Sequence, residues 1–337
     1  MAISIFRVLQ SENKATAALA INYTDAIVAT KMVAGAAYFA TKSATDIGGM
    51  CVDQSGNLYV SDVTEHVILR VNESGQIKVV AGLAGSNGIN GTLTVTTENA
   101  RFDSPRGLAC DKSGNIYVAD AGNNQVRVIR GGYVSVLAGA GDGSSGFVSG
   151  AAHTARFNNP TDVAVLPDGN IAVCDSGNHA VRKIRGANVW TVAGGASGDR
   201  QSVLANAFGN IFASPEAIDV DKNGNIWVCD TGNDKVKKID PRGFVYLMAG
   251  DADGKSLGST ALTCEFKSLK GIAVDGSGNI YIADRNNASG GRVLRFTQHS
   301  QIVGVVADFN GSTNYDAGLL ALAVSPAGKI FVATDAT

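Results

Sequence analysis

The sequence has no run of 18 apolar residues, so no transmembrane helix is expected. It has no charge excess either: 28 Lys and Arg against 30 Asp and Glu leave a formal net charge of −2, and charged residues make up only 17% of the chain. Bulk attraction to nucleic acid or to an anionic membrane is therefore not expected. The opening MAISIFRVLQSENKA has no charged segment followed by an apolar one, which argues against Sec export and for a virion or cytoplasmic location. The five cysteines are an odd set without metal-type spacing, and His66, His153, His179 and His299 do not cluster in sequence. Metal-centre and thiol chemistry thus have no sequence signature.

What is present is apolar residues at 45% and 41 glycines, enough for a sizeable core with many strands and tight turns. The chain also repeats itself. SGNIYVADAGNNQVRVI (113–129) returns as DGNIAVCDSGNHAVRKI (168–184) and NGNIWVCDTGNDKVKKI (223–239). Each unit opens on a short apolar run, such as GLACD (107–111) or AIDVD (217–221). A Gly-containing turn follows, suited to a tight hairpin because Gly takes positive φ at little cost. A second run, an alternating third such as QVRVI, and a fourth such as VSVLAG (134–139) complete the unit. Cys174 and Cys229 occupy the slot held elsewhere by Ser61, Ala119 and Ala283, a place for a small buried side chain. The cysteines are accordingly read as reduced structural thiols.

Four short strands per unit, at a period of 50 to 58 residues, predict the blades of a β-propeller. Blades are expected at about 48–82, 106–139, 161–194, 216–250 and 270–308. A sixth would combine 319–334 with 16–35 from the other end, TAALAIN (16–22) as its third strand and AIVATKMVAG (26–35) as its fourth. Closure of this kind leaves no open seam. The expectation is thus a single all-β domain over 16–337, a six-bladed propeller with four-stranded blades, preceded by a strand or arm at 1–15. Residues 2–10 form a strand-like run that either adds a local outer strand to the sixth blade, the favoured reading, or pairs with a neighbouring molecule. Connectors between blades repeat a Phe, in ARFDSP (100–105), ARFNNP (155–160), IFASP (211–215) and CEFKSL (264–269), which is expected to pack between blades.

The phrase xGIAVDxxGNIYVADxxNNxVRxI resembles the NHL repeat family over about residues 24 to 334, with the copies at 107–139, 162–194 and 217–250 matching best. The closing Val-Ala-Gly and the Gly-rich loop after it are similar to the bacterial and phage-borne form of the repeat. The resemblance implies a six-bladed propeller but no single activity, because propellers host binding, scaffolding and catalysis alike.

Candidate binding residues are the carboxylates that close the second strands: Asp62, Asp120, Asp175, Asp230 and Asp284. One per blade would form a ring able to attract a cation. The stronger reading is local, with each Asp accepting N–H groups of the following turn and Asn123, Asn178 and Asn233 completing it. Asp251 and Asp253 have calcium-loop spacing, but Lys255 and Leu262 stand where further ligands are needed, so calcium remains a weak reading and no cofactor is expected. The basic third-strand residues Arg127, Arg130, Arg182, Lys183, Arg185, Lys235, Lys237 and Lys238 have no interleaved aromatics. They read as a solvated, charged near-edge strand rather than an RNA face. Six-bladed lyases and lactonases imply a channel metal held by His, Glu or Asn. Only Glu216 occupies a suggestive place here, with Arg106, Thr161 and Lys270 at the equivalent points and Arg106 or Lys270 available to pair with it.

The connectors at 83–104, 140–159, 195–214 and 251–268 are long and share one face, and TLTVTT (92–97) is expected to form a small strand. The sequence therefore predicts a non-catalytic interaction or structural module. It would engage a protein partner or larger assembly, such as a phage or virus particle, through these loops and the N-terminal strand. The alternative is a metal-dependent lyase or lactonase with its site in the channel.

Overall fold

The computed structural model describes residues 5–9, 28–29, 47–72, 76–90, 93–199, 208–250, 264–286, 290–297, 304–308, 319–326 and 328–334. The architecture is the expected all-β propeller. Five complete blades follow one another in the chain, rather than six. Their innermost strands are Ile47–Val52, Pro105–Cys110, Pro160–Val165, Ala217–Val220 and Leu269–Val274, and in each blade three antiparallel strands follow outward. Thr94–Thr96 adds an outer strand to the second blade, as its sequence predicts. Gly150–Ala151 pairs on the outer strand of the third blade, and Phe208–Phe212 runs parallel to that strand's end.

A further sheet joins the two ends of the chain. Leu319–Val324 pairs with Ile330–Thr334, which pairs with Ile5–Leu9, and Val28–Ala29 lies beyond. This corrects the expected order. The N-terminal run is the strand beside Ile330–Thr334 and not an added outer one. Residues 16–22 lie outside the described residues.

The sequence chemistry explains the hairpins. Asp111 Oδ1 accepts the N–H groups of Ser113 at 2.8 Å and Asn115 at 2.9 Å, and Oδ2 accepts Asn115 Nδ2 at 2.6 Å and the Tyr117 hydroxyl at 3.1 Å. Gly114 sits at φ +79°, a conformation that costs a residue with a Cβ. Asp53, Asp221 and Asp275 build the same turn.

No blade buries both faces alone, so the core lies between blades. Phe102, Phe157, Phe212 and Phe266 of the connectors are all buried in those inter-blade clusters, as their recurrence predicts. Burying one Phe contributes about 1.5–3 kcal/mol. The terminal sheet packs on the fifth blade through Leu322, Ile330 and Val332, and on the first through Ala321, Ala323, Phe331 and Ala333.

Candidate functional site in the central channel

Each inner strand starts, and each second strand ends, on the face where the connectors arrive: Pro105 lies opposite Asp120 and Pro160 opposite Asp175. The recurring carboxylates therefore share that face, but they are buried. Asp175 Oδ1 accepts the N–H of Asn158 at 2.7 Å, while Oδ2 accepts Asn178 Nδ2 at 2.8 Å and Arg182 at 2.9 Å. Asp120 repeats this with Asp103, Asn123 and Arg127, and Asp230 with Ala213, Asn233 and Lys237. Asp284 takes the N–H groups of Lys267 and Ser268 and pairs with Arg292 at 2.9 Å.

Two sequence expectations change here. In these four blades the carboxylate is a latch: the backbone N–H groups it accepts belong to the preceding connector, about seventeen residues upstream, instead of to the turn that follows, while Asp120, Asp175 and Asp230 also bond forward to the side chains of Asn123, Asn178 and Asn233. Asp62 accepts a backbone N–H of its following turn, that of Glu65, at 2.9 Å. Likewise Arg127, Arg182 and Lys237 are buried ion-pair partners, not a solvated stripe, each lying over a connector ring, Phe102, Phe157 or Phe212. Leu69 stands where the first blade would carry the cation. Burial pushes the carboxyls of Asp120 and Asp175 up to about 6, against the pull of their arginines, so both pairs stay ionised at neutral pH. The residues after the latch Asn, namely Asn124, His179 and Asp234, take the left-handed conformation. Asn124 and His179 accept the N–H groups of Asn159 and Ser214, a second tie to the connector.

The channel itself is a cavity of about 230 Å³ between the inner strands. Of its four charged residues, Asp162, Glu216, Asp219 and Lys270, sequence reading missed the two aspartates. Asp162 Oδ1 accepts the N–H of Val163 at 2.8 Å, and its Oδ2 reaches across to the N–H of Ile218 in the next blade at 2.9 Å. Asp219 does the same with Val220 and, in the following blade, Val274, both at 2.7 Å. Burial pushes Asp162 up to about 8, opposed by its two backbone donors and helped by nearby Asp219, and pushes Asp219 up to about 6. A side chain at Gly107 would overlap Asp162 Oδ1, so the glycine makes room for the carboxylate. The signal was available: Asp162 and Asp219 interrupt inner strands whose other members at those points are Gly, Ala or Cys.

Cys51 and Cys110, also on the channel wall, form a disulfide between the inner strands of the first and second blades. This corrects the expectation that all five cysteines are reduced. Cys174, Cys229 and Cys264 are free and buried, and burial raises all three thiols. At the channel mouth lies a smaller pocket of about 150 Å³, lined by Gly48, Arg106, Thr161, Glu216, Lys270 and Arg285 among others. Glu216 pairs with Lys270 at 2.7 Å, one of the two local partners expected from the sequence. Among the described residues no group of three or more His, Cys, Asp or Glu is arranged to hold a metal ion, and no helix is long and apolar enough to cross a membrane. The possible calcium loop at Asp251 and Asp253 lies outside the described residues.

The NHL repeat matches residues 102–129, 157–184 and 212–239, each a connector followed by three strands. The chain is 31% identical to human teneurin-4 over 160 residues, 42% of this chain and 6% of that protein. It is 25% identical to human NHL repeat-containing protein 2 over 270 residues, 68% of this chain and 36% of that protein. It thus spans well under two thirds of the length of these relatives. A gluconolactonase from Xanthomonas campestris has a similar fold, with a TM-score of 0.56 at 15% identity over 87% of each chain. The ring of sheets is a β-propeller, and three of its blades carry matches to the NHL repeat.

Proposed function

We propose that this propeller is a non-catalytic protein-interaction module whose contact surface is the connector face. The observation that carries this reading is apolar exposure. Leu83 and Leu93 on the first connector, and Phe147 and Val148 on the second, are large hydrophobic side chains left in solvent. Exposed apolar groups gathered on loops over a rigid scaffold favour binding. The teneurin and NHL repeat-containing relatives support an interaction role, and the reading needs no cofactor. In its finer form the terminal sheet serves as a sixth blade that closes the ring, Ile5–Leu9 stays with its own chain, and the whole decorates a larger assembly such as a phage or virus particle.

The test is sedimentation of the native protein from its source. Migration with a large particle in fixed stoichiometry supports the assembly reading, and Leu83→Ser with Val148→Ser should release the protein to a free species near 34.6 kDa. A wild-type protein found only as free monomer would remove it. A second reading, a metal-dependent lyase or lactonase, draws on Asp162, Asp219 and Glu216 along the channel. Metal analysis of the purified protein decides it, since that chemistry requires a stoichiometric ion.

A further inference from the structure

The third blade departs from the others at one place. In the first, second, fourth and fifth blades an aromatic residue follows the hairpin turn: Tyr59, Tyr117, Trp227 or Tyr281. Each donates to the turn carboxylate, that of Asp53, Asp111, Asp221 or Asp275, at 3.1–3.2 Å. Each ring packs into the core between its own blade and the next sheet. In the third blade Ala172 stands at the aromatic position and Leu166 at the carboxylate position. The turn itself is kept, because the Leu166 N–H donates to the Asn170 carbonyl at 2.8 Å, as that of Asp221 does to Asn225 at 3.0 Å.

The change coincides with an opening. A cleft of about 400 Å³ lies between the third and fourth blades on the face opposite the connectors, within the usual range for a binding pocket. Leu166, Val192 and Ile226 supply its apolar part, and Lys183, Lys222 and Arg242 stand along it. The fourth blade shows what such a place holds. There Trp227, Lys238 and Tyr246 are neighbours across adjacent strands, with the Lys238 ammonium 5.7 Å and 5.0 Å from the two ring centroids. The matching row in the third blade is Ala172, Lys183 and Trp190. Asp221 and Lys238, which flank the Trp227 ring, thus correspond to Leu166 and Lys183, and both of these line the cleft. Trp190, exposed at 47%, ends the row.

We propose that this cleft takes the phenylalanine side chain of an acidic segment from a partner protein, at a surface separate from the connector face. The ring enters where the other blades keep one of their own, under Lys183 and against Leu166 and Ile226. A cation over a ring face adds to the apolar burial. Leu166 offers no acceptor for a phenol or indole donor, which favours an unsubstituted ring. Lys183 and Arg242 are paired with Asp168 and Asp240, whereas Lys222 has no ion pair or hydrogen bond among the described residues. One such cation matches one carboxylate next to the ring. Pro167, Asp168, Pro241 and Arg242 at the edges are exposed, so the cleft is open and suits a side chain projecting from another surface better than a ligand to be enclosed.

The experiment is titration of the full-length protein with the capped tetrapeptide Gly-Phe-Asp-Gly, followed by the fluorescence of Trp190, the exposed one of the two tryptophans. A saturable change at one site per chain is expected. Ala in place of Phe in the peptide should weaken binding at least about tenfold, and Asn in place of Asp about two- to fivefold. Ala172→Tyr fills the cleft with the chain's own ring and should abolish binding without lowering the melting temperature. Lys222→Gln should make the Asp and Asn peptides bind alike. Leu83→Ser, on the connector face, should bind as the wild type does, so this proposal and interaction through that face fail separately. No saturable response by the wild type, equal binding of the Ala peptide, or undiminished binding by folded Ala172→Tyr overturns the proposal. If Ala172→Tyr does not fold, the peptide series and Lys222→Gln still decide it. Phenylacetate binding as tightly as the peptide would also overturn it, since the occupant would then be a small aromatic acid.

Discussion

At the scale of single residues the molecule is held by charges placed where solvent does not reach. In the third blade, Asp175 and Arg182 are both fully buried and 2.9 Å apart. Such a pair need not be a net stabiliser over an apolar substitute, but breaking it leaves an uncompensated buried charge. Arg182→Met should therefore lower the free energy of unfolding by about 3–5 kcal/mol in urea titration. Arg182→Met with Asp175→Asn should cost less than the two single changes added together, because the orphaned charge is gone. The buried carboxyls of the channel and of the latches make a different prediction, about pH. Asp162 at about 8, and Asp120, Asp175 and Asp219 at about 6, all lie above the value of about 4 for an unfolded Asp. Groups raised on folding bind more protons in the native state, so their contribution is complete below pH 4 and is lost as pH rises through the folded value. Turn carboxyls such as Asp111 and Asp221 are shifted down by their hydrogen bonds despite burial, and their contribution is lost as pH falls below 4. Stability should be greatest in mild acid and decline towards pH 8. Between pH 6 and 8 Asp162 carries the decline, so Asp162→Asn should flatten that part of the profile in denaturation experiments at fixed pH values. An unchanged slope would place the titration elsewhere.

At the scale of the element, much was legible because one repeated phrase encodes one strand set. The hairpin Gly, the connector Phe and the small slot at Cys174 and Cys229 could be read from their recurrence, and each sits where it was expected. What escaped the sequence is pairing between elements far apart in the chain. The cations of the third strand looked like an exposed stripe because nothing local shows that a connector folds over them. The bond between Asp162 and Ile218 spans 56 residues, and it becomes visible only when neighbouring inner strands are set side by side. The same holds for Cys51 and Cys110, which are 59 residues apart and carry no motif. Their bridge ties the first two inner strands together. On the chain-entropy argument, closing a loop of that length is worth about 4 kcal/mol. Cys51→Ser with Cys110→Ser should lower the thermal midpoint, and reductant should lower that of the wild type while leaving the double variant where it is. A wild type indifferent to reductant, with no mobility shift on non-reducing gels, would mean the bridge does not form in solution.

At the scale of the whole molecule the question is what keeps a ring of sheets from opening. Between complete blades the chain is continuous, and each connector is latched by a buried carboxylate. The sheet joining the two ends draws its strands from both parts of the chain, and strand pairing and side-chain packing on the first and fifth blades hold it. Ile5 to Leu9 lie opposite Thr334 to Ile330 in unbroken antiparallel register. Without that strand, Ile330–Thr334 would present a row of unpaired backbone donors and acceptors, an edge on which a second molecule can template. Among the described residues of 1–35, Ile5–Leu9 and Val28–Ala29 belong to the terminal sheet and supply no strand to the five complete blades. A protein truncated of residues 1–35 should therefore keep its β-sheet circular dichroism yet associate as concentration rises, which sedimentation equilibrium would record. A peptide spanning residues 1–35, added in trans, should restore the monomer by refilling the edge. If the truncated protein instead stays monomeric with an unchanged melting temperature, the ring is closed by side-chain packing of Leu322, Phe331 and Val332 against the neighbouring blades, and strand pairing at the seam is secondary.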